Sequence, residues 1–383
     1  MDYGLTEEQK EIVKIARQIA TERIRPKAME LDEKGEFPTE ILKEIAQSDL
    51  FGLYIPEKYG GFGGGTLELC LATEEFSKAC GGVAVSYAAT ALGAYPIILY
   101  GTEEQKLRYL PDIASGKTLA AFAITEPEAG SDASSVKTQA TKDGDFYVLN
   151  GTKQWITNGG EAGVYTVIAT TNKDKGARGL ACFIVEKGTP GFSFGKKEDK
   201  LGIRCSATRE LIFTDCRISK DNLIGKEGLG FIVAMRTFDN SRPGIAAQAI
   251  GMAQGALDLT IKYAKERVQF GQPISSFQGI QWMLADMATE IEAARALTYS
   301  LCRMIDSGIK DVGKESAQAK LFASDTAMKV VTDCLQIFGG YGYMRDYPIE
   351  KYFRDAKITQ IYEGTNQIQR NIIGLKLIKG TSS

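Results

Sequence analysis

The sequence predicts an α+β fold in three parts: a helical N-terminal domain, a β-rich middle domain and a helical C-terminal domain. Three observations carry that reading. Apolar residues recur at helical spacing up to about residue 118, short β-rich segments broken by Gly, Asn, Asp and Pro follow to about residue 227, and long amphipathic stretches fill the remainder. The domains are therefore drawn at 1–118, 119–227 and 228–383, and a chain of 383 residues is long enough for several cores.

In the N-terminal part, Thr6 opens a T-E-E-Q segment, so it is expected to cap a helix whose Ile12, Ile15, Ala16 and Ile19 share a face. Pro38-Thr39-Glu40 starts a second helix, expected to end near Gly52. The run from Gly60 to Gly65 lacks the strand before and helix after it that a dinucleotide fingerprint needs, and reads as a connection. Thr66 is expected to cap a helix reaching about Ala79, and an Ala-rich helix covers roughly Val83 to Leu99.

The middle segments LAAFAIT, DFYVLNG, KQWITNG, VYTVIATT, GLACFIVEK, FSFGKK and ELIFTDC are short strands. Asn150-Gly151 and Asn158-Gly159 carry the dipeptide chemistry of hairpin turns, and the regular spacing points to a compact β-barrel or sandwich. Beyond Gly228 helical patterning returns. Residues 244–268 form a long amphipathic stretch with Pro243 suited to its first turn, and similar stretches cover about 275–307 and 313–338, the last broken by Gly339-Gly340-Tyr341-Gly342.

Composition removes several function classes. A net charge of −2 gives no footprint for nucleic acid, and no run of about 18 apolar residues is seen, so no membrane-spanning helix is expected. The start MDYGLTEEQK carries acids at once, unlike a secretory or transit segment, and a cytoplasmic location is expected, or a mature form whose targeting segment is already gone. Seven cysteines without a CxxC argue against a disulfide framework and read as small buried hydrophobes. The chain has no histidine. Ser-His-Asp chemistry, Cys-His chemistry and His-based zinc sites are thereby excluded, leaving carboxylates, Lys, Tyr, Cys or a cofactor to do any chemistry. No metal site is expected.

Four segments could carry it. Glu363, in Tyr362-Glu363-Gly364-Thr365, sits where a helix breaks at Gly364, so its side chain can face a cleft; an exposed loop glutamate is the plain alternative. From Phe122 through Ile124 and Thr125 to Ser131 and Asp132, a strand leaves into a Pro/Gly/Ser turn whose N–H groups and hydroxyls suit a flat polar ring or a phosphate, or simply close a turn. Trp155 with Thr157 could cover and hydrogen-bond an aromatic cofactor, or be an ordinary core Trp. Arg267 ends one long helix and Gln336, Gly339 and Gly340 end another; an Arg fork suits pyrophosphate and also suits a helix C-terminus.

Taken together, FAITEPEAGSD, WITNGG, RVQFGQPI, LQIFGGYGY and RDAKITQIYEGTNQIQR, in this order and spacing, resemble the acyl-CoA dehydrogenase family over essentially the whole chain. The resemblance implies a C-terminal four-helix bundle, a homotetramer built as a dimer of dimers, and FAD lying between the β domain and the bundle. It implies Glu363 as the catalytic base, with Phe122, Ile124, Thr125, Ser131, Trp155 and Thr157 at the flavin. Arg267, Phe270, Gln278, Gln336, Gly339 and Gly340 would meet FAD from the neighbouring subunit, and Thr365 and Gln367 would complete the cofactor set. Ser131, Asp239, Arg242 and Gly364 would hold the acyl-CoA. Some members carry the base on the helix at the position of Arg242; with Arg there and Glu at 363, this chain sides with the short- and medium-chain type.

The implied reaction is α,β-dehydrogenation of a saturated acyl-CoA. The thioester carbonyl would be held by the Glu363 N–H and a ribityl hydroxyl of FAD, Glu363 would take the α-proton, the flavin would take the β-hydride, and an electron-transferring flavoprotein would collect the electrons. Ala88, Ala89, Thr90, Ala91 and Gly93 leave room for a short, medium or alicyclic acyl group. The absence of Lys and Arg from 83–99 argues against a dicarboxylyl substrate, and the absence of Asp and Glu argues against a second acid. Elimination or desulfination of an acyl-CoA, or an inactive flavin-binding protein, stand as the alternatives.

Overall fold

The computed structural model describes residues 3–380. Its N-terminal part contains α1 (Glu7–Ile19), α2 (Ala28–Lys34), α3 (Thr39–Gln47), α4 (Thr66–Ser77), α5 (Gly81–Tyr100) and α6 (Glu103–Ala114). Helix α1 begins as expected: Thr6 accepts the Gln9 N–H and the Gln9 side chain accepts the Thr6 N–H. Helix α3 stops short of Gly52, because Asp49 takes a left-handed φ of 57° and a separate turn follows over Leu50–Gly52. Thr66 is not a cap but the first residue of α4. The Thr66 and Leu67 N–H groups instead donate to the Asp306 carboxylate, at 2.7 and 3.0 Å, from the far end of another helix. A Cβ at Gly65 would lie 2.3 Å from that carboxylate, so only glycine admits it.

Helix α5 corrects one expectation. It carries no charge over 20 residues and is long and apolar enough to cross a membrane, but 78% of its apolar stretch is buried inside the protein, as in a core helix.

The middle part is one eight-stranded sheet. Its strands are β1 (Ala120–Ala123), β2 (Gln139–Asp143), β3 (Phe146–Thr157), β4 (Val164–Thr170), β5 (Leu180–Glu186), β6 (Phe192–Lys197), β7 (Thr208–Ser219) and β8 (Leu223–Ile224). They run in the order β6-β7-β3-β2-β4-β5-β8, with β1 parallel to β4. Asn150-Gly151 is not a hairpin: β3 runs straight through it with a shift of register against β7. Gly151 has φ 146° and its Cα backs onto Thr138, where a Cβ would come within 2.7 Å, so the glycine serves a bulge. Asn158 does turn the chain, at φ 61°, but β3 and β4 are not neighbours, so that turn closes no hairpin either.

The C-terminal part comprises α7 (Gly230–Glu266), a short pair β9 (Val268–Gln269) and β10 (Gln272–Pro273), then α8 (Gln278–Asp306), α9 (Gly313–Phe338), α10 (Ile349–Ala356) and α11 (Asn366–Lys379). Helix α9 packs against α7, α8 and α11. Pro243 lies in the middle of α7 rather than in a first turn. Its missing N–H leaves the Asp239 carbonyl without its helical donor. The Ser316 hydroxyl of α9 supplies one at 2.9 Å, and the 37-residue helix continues. One apolar core joins the N-terminal helices to the outer face of the sheet, a second fills the sheet, and a third fills the bundle.

Candidate active site

Where the three parts meet lies a cavity of about 890 Å³, walled by α5, the ends of β1 and β3, the segment 198–203, α7 and the segment 357–365. Glu363 lies on its wall, in a reversal between the turn Lys357–Gln360 and α11. Glu363 has φ 51° and Gly364 φ 89°, two successive left-handed residues that swing the chain round. A left-handed conformation costs a non-glycine residue roughly 1 kcal/mol or more, so it persists only where neighbours hold it.

Arg242, Gln369 and Lys320 are those neighbours. The Glu363 carbonyl accepts from Arg242 Nε at 3.3 Å and Gln369 Nε2 at 3.2 Å. The Gly364 carbonyl accepts from Lys320 Nζ and Gln369 Nε2, both at 2.9 Å. Lys320 is wholly buried and also donates to Asn366 Oδ1 at 2.8 Å, while Thr365 caps α11 through the Ile368 N–H. The Glu363 carboxylate itself accepts the Ser241 hydroxyl at 2.6 Å. Burial raises its pKa to about 7, against the opposing pull of Ser241, Arg242 and Lys320. Burial likewise pulls Lys320 down to about 7.

Opposite stand the residues of the turn and strand motifs. Phe122, Ile124, Thr125, Ser131, Trp155 and Thr157 all line this cavity. A second bulge in β3, between Lys153 and Ile156, gives Trp155 a φ of 58° and leaves its indole 57% exposed. Beneath them Lys153 is buried without exposure and donates to the Ile124 carbonyl at 3.0 Å and to Glu126 at 2.7 Å. Glu126 also accepts the Lys137 and Thr138 N–H groups, so this pair fixes the chain on both sides of Thr125. The wall supplied by α4 and α5 is apolar: Leu69, Val85, Ala88, Ala89, Ala91, Leu92 and Tyr95.

Arg242 lines the same cavity, buried with its guanidinium on the Glu363 carbonyl, and Asp239 pairs with it at 3.5 Å without itself lining the cavity. Other expected residues lie elsewhere. Arg267, Gly339 and Gly340 line a separate cavity of about 530 Å³ with Tyr263, Phe338 and Tyr341. Phe270 is 94% exposed, and Gln278, Gln336 and Gln367 are exposed. Sequence reasoning missed Ser241, Lys320, Gln369 and Lys153. For Lys320 a signal existed: it falls in the stripe Ser316, Ala317, Ala323, Ser324, Ala327 that faces the core, where a lysine is out of place unless paired.

Comparison with known proteins adds to this geometry. The acyl-CoA dehydrogenase N-terminal, middle and C-terminal domains match residues 6–117, 121–216 and 228–378. Acryloyl-CoA reductase (NADH) of Anaerotignum propionicum is 51% identical over 381 residues, covering 99% of this chain and 96% of its own. Butyryl-CoA dehydrogenase of Megasphaera elsdenii superposes with a TM-score of 0.96 at 48% identity, over 99% of this chain and 100% of that one. A chain solved in work on the electron transferring flavoprotein of Acidaminococcus fermentans gives 0.97 at 50% identity, again over 99% and 100%. With all three domains matched in order and relatives of this identity along its length, the chain belongs to the acyl-CoA dehydrogenase family of FAD enzymes.

Proposed function

We propose that this chain dehydrogenates a short saturated acyl-CoA, butyryl-CoA being the representative, with Glu363 as the base that takes the α-proton. The observation that carries the reading is the Glu363 carboxyl on the wall of a cavity, its pKa raised by burial to about 7, with the exposed indole of Trp155 and with Thr125 and Thr157 lining the same cavity. A base works best with a pKa near the working pH, and desolvation supplies that here.

The same residues fit FAD. A bulge that turns a large indole outward offers a flat face for a flavin ring, and Thr125 and Thr157 offer hydroxyls at its edge. Bound FAD supplies the hydride acceptor for the β-hydrogen. The chain's own part is to hold and to exclude. Ser241 orients the carboxylate, while Arg242, Gln369 and Lys320 pin the reversal that carries it. Ser131 and Gly364 face the cavity and serve the acyl-CoA, with Thr365 on the same rim; Asp239 serves it through Arg242.

Arg267, Phe270, Gln278, Gln336, Gly339 and Gly340 serve the adenosine end of FAD held by a second copy of the chain in a homotetramer, and an electron-transferring flavoprotein reoxidises the flavin. Likeness to butyryl-CoA dehydrogenase supports a short acyl group, as do the alanines of α5. Likeness to acryloyl-CoA reductase favours a second reading, the same site run in reverse, with Glu363 returning a proton to the α-carbon. Anaerobic titration of the holoenzyme tests both. Butyryl-CoA is expected to bleach the flavin absorbance; an enoyl-CoA added to reduced enzyme is expected to restore it if the reverse reaction prevails. Absence of both responses would exclude both directions.

A further inference from the structure

We propose that Cys80 and Cys205 form a redox modification site, a buried dithiol that a peroxide oxidises to a disulfide, tying the middle domain to the helix that walls the acyl cavity. The two sulfurs come from distant parts of the chain and stand 3.9 Å apart. Cys80 immediately precedes α5, and Cys205 follows the segment 198–203 that forms the opposite cavity wall. Gly82 makes room for the pairing, since a Cβ there would lie 2.5 Å from the Cys205 sulfur.

A cation stands beside this pair. Lys351 Nζ, itself buried, lies 3.3 Å from the Cys80 sulfur and also donates to Asp355. Asp355 in turn accepts the Ile203 N–H at 2.5 Å, which fixes the segment carrying Cys205. An adjacent ammonium favours the thiolate, the form that reacts with peroxide. The hydrogen bond to Cys205, with the Lys351 charge, moves the Cys80 thiol down from its ordinary range.

A second thiol pair gives an internal comparison. Cys70 of α4 and Cys302 of α8 are closer, at 3.6 Å, and equally buried. Among the described residues no ammonium or guanidinium bonds to either sulfur, and burial together with Cys302, Asp306 and Glu74 pushes the Cys70 thiol up. Proximity alone would oxidise this pair first; chemistry selects the other.

The step balances. The Cys80 thiolate attacks one oxygen of hydrogen peroxide, the O–O bond breaks, and the departing hydroxide leaves as water after taking a proton. Cys80 is then a sulfenic acid. The Cys205 sulfur displaces its hydroxyl, an S–S bond forms as the S–O bond breaks, and the Cys205 proton leaves with the second water. Two thiols and one peroxide give one disulfide and two waters. Drawing the sulfurs together to about 2 Å shifts the start of α5 against the segment 198–203, and so alters the cavity between them.

The test treats the holoenzyme with hydrogen peroxide, alkylates the remaining thiols, digests without reduction and reads the peptides by mass. A Cys80–Cys205 linked peptide that dithiothreitol splits is expected, together with a loss of butyryl-CoA turnover that dithiothreitol restores. Cys205→Ala is expected to keep its turnover at the same peroxide dose. Alkylated Cys80 and Cys205 after treatment, or a Cys70–Cys302 link in their place, would overturn the site. A link that leaves turnover intact, or equal loss in Cys205→Ala, would overturn its coupling to the acyl wall. The linked peptide is read by mass and does not depend on the proposed reaction; octanoyl-CoA serves for turnover should butyryl-CoA fail.

Discussion

Glu363 would ionise near pH 4.5 in an unfolded chain, and the fold holds its proton until about pH 7. Between those values the native state binds a proton that the unfolded state has released, so stability falls as pH rises. The full difference is about 3 kcal/mol at most. Glu363→Gln keeps the shape and the acceptor for Ser241 while deleting the charge. It is expected to lower turnover by about 10²–10⁴-fold, to retain FAD, and to raise the melting temperature at pH 8 more than at pH 5. Near-normal turnover would remove Glu363 as the base. Ser241 acts on the same titration with the opposite sign. Its hydroxyl stabilises the carboxylate, so Ser241→Ala is expected to raise the Glu363 pKa further and move the rising limb of kcat/KM to higher pH. An unmoved limb would show that another group titrates there. The chain break at Gly364 was legible in the sequence, and it put Glu363 where a cleft could be; the role of base came from the family resemblance alone. Ser241 was not legible: a serine within a helix looks the same whether it faces solvent or a carboxylate 122 positions away.

At the scale of elements, the order of helices and strands was legible because each depends on local periodicity, and Thr6 even fixed the first residue of α1. What failed was the meaning of local signals that a distant partner redefines. Gly151 serves a bulge because Thr138 lies against it; Pro243 stays inside α7 because Ser316 replaces the lost donor; Thr66 leaves its cap to Asp306. Each partner comes from another element, so no window along the chain contains it. The Lys153–Glu126 pair shows what such partners are worth. Removing one member of a buried ion pair leaves the other charged and uncompensated, at a cost of about 3–5 kcal/mol. Lys153→Met should therefore destabilise the protein by that order in urea melts. If the pair positions the flavin edge, FAD should also dissociate more readily from the folded variant, because the Ile124 carbonyl and both sides of Thr125 lose their anchor. Unchanged FAD affinity in folded Lys153→Met would confine the pair to a structural role.

At the scale of the molecule, the proposed cofactor residues fall into two groups. One surrounds Glu363; the other, with Arg267 and Gly339, lines a separate cavity beside the fully projecting Phe270. Phe270, Tyr343 and Ile378, each 80% exposed or more, are large side chains suited to burial against another copy. The proposed tetramer should therefore scatter light with four times the 41.7 kDa mass of the chain. Complementation distinguishes how the two groups cooperate. A variant with Arg267→Glu keeps its base but offers no cation to a neighbour's FAD, while Glu363→Gln offers the cation but has no base. If each Arg267 serves another copy's flavin, co-assembled tetramers will contain subunits with an intact base and a borrowed arginine, and activity will return in mixtures of two variants that are each inactive alone. If Arg267 serves the flavin of its own chain, every subunit in the mixture lacks one essential group and the mixture stays inactive. Recovery of turnover on co-expression therefore reads out whether the active site is completed across subunits, and its absence from correctly sized mixed tetramers would place the whole site within one chain.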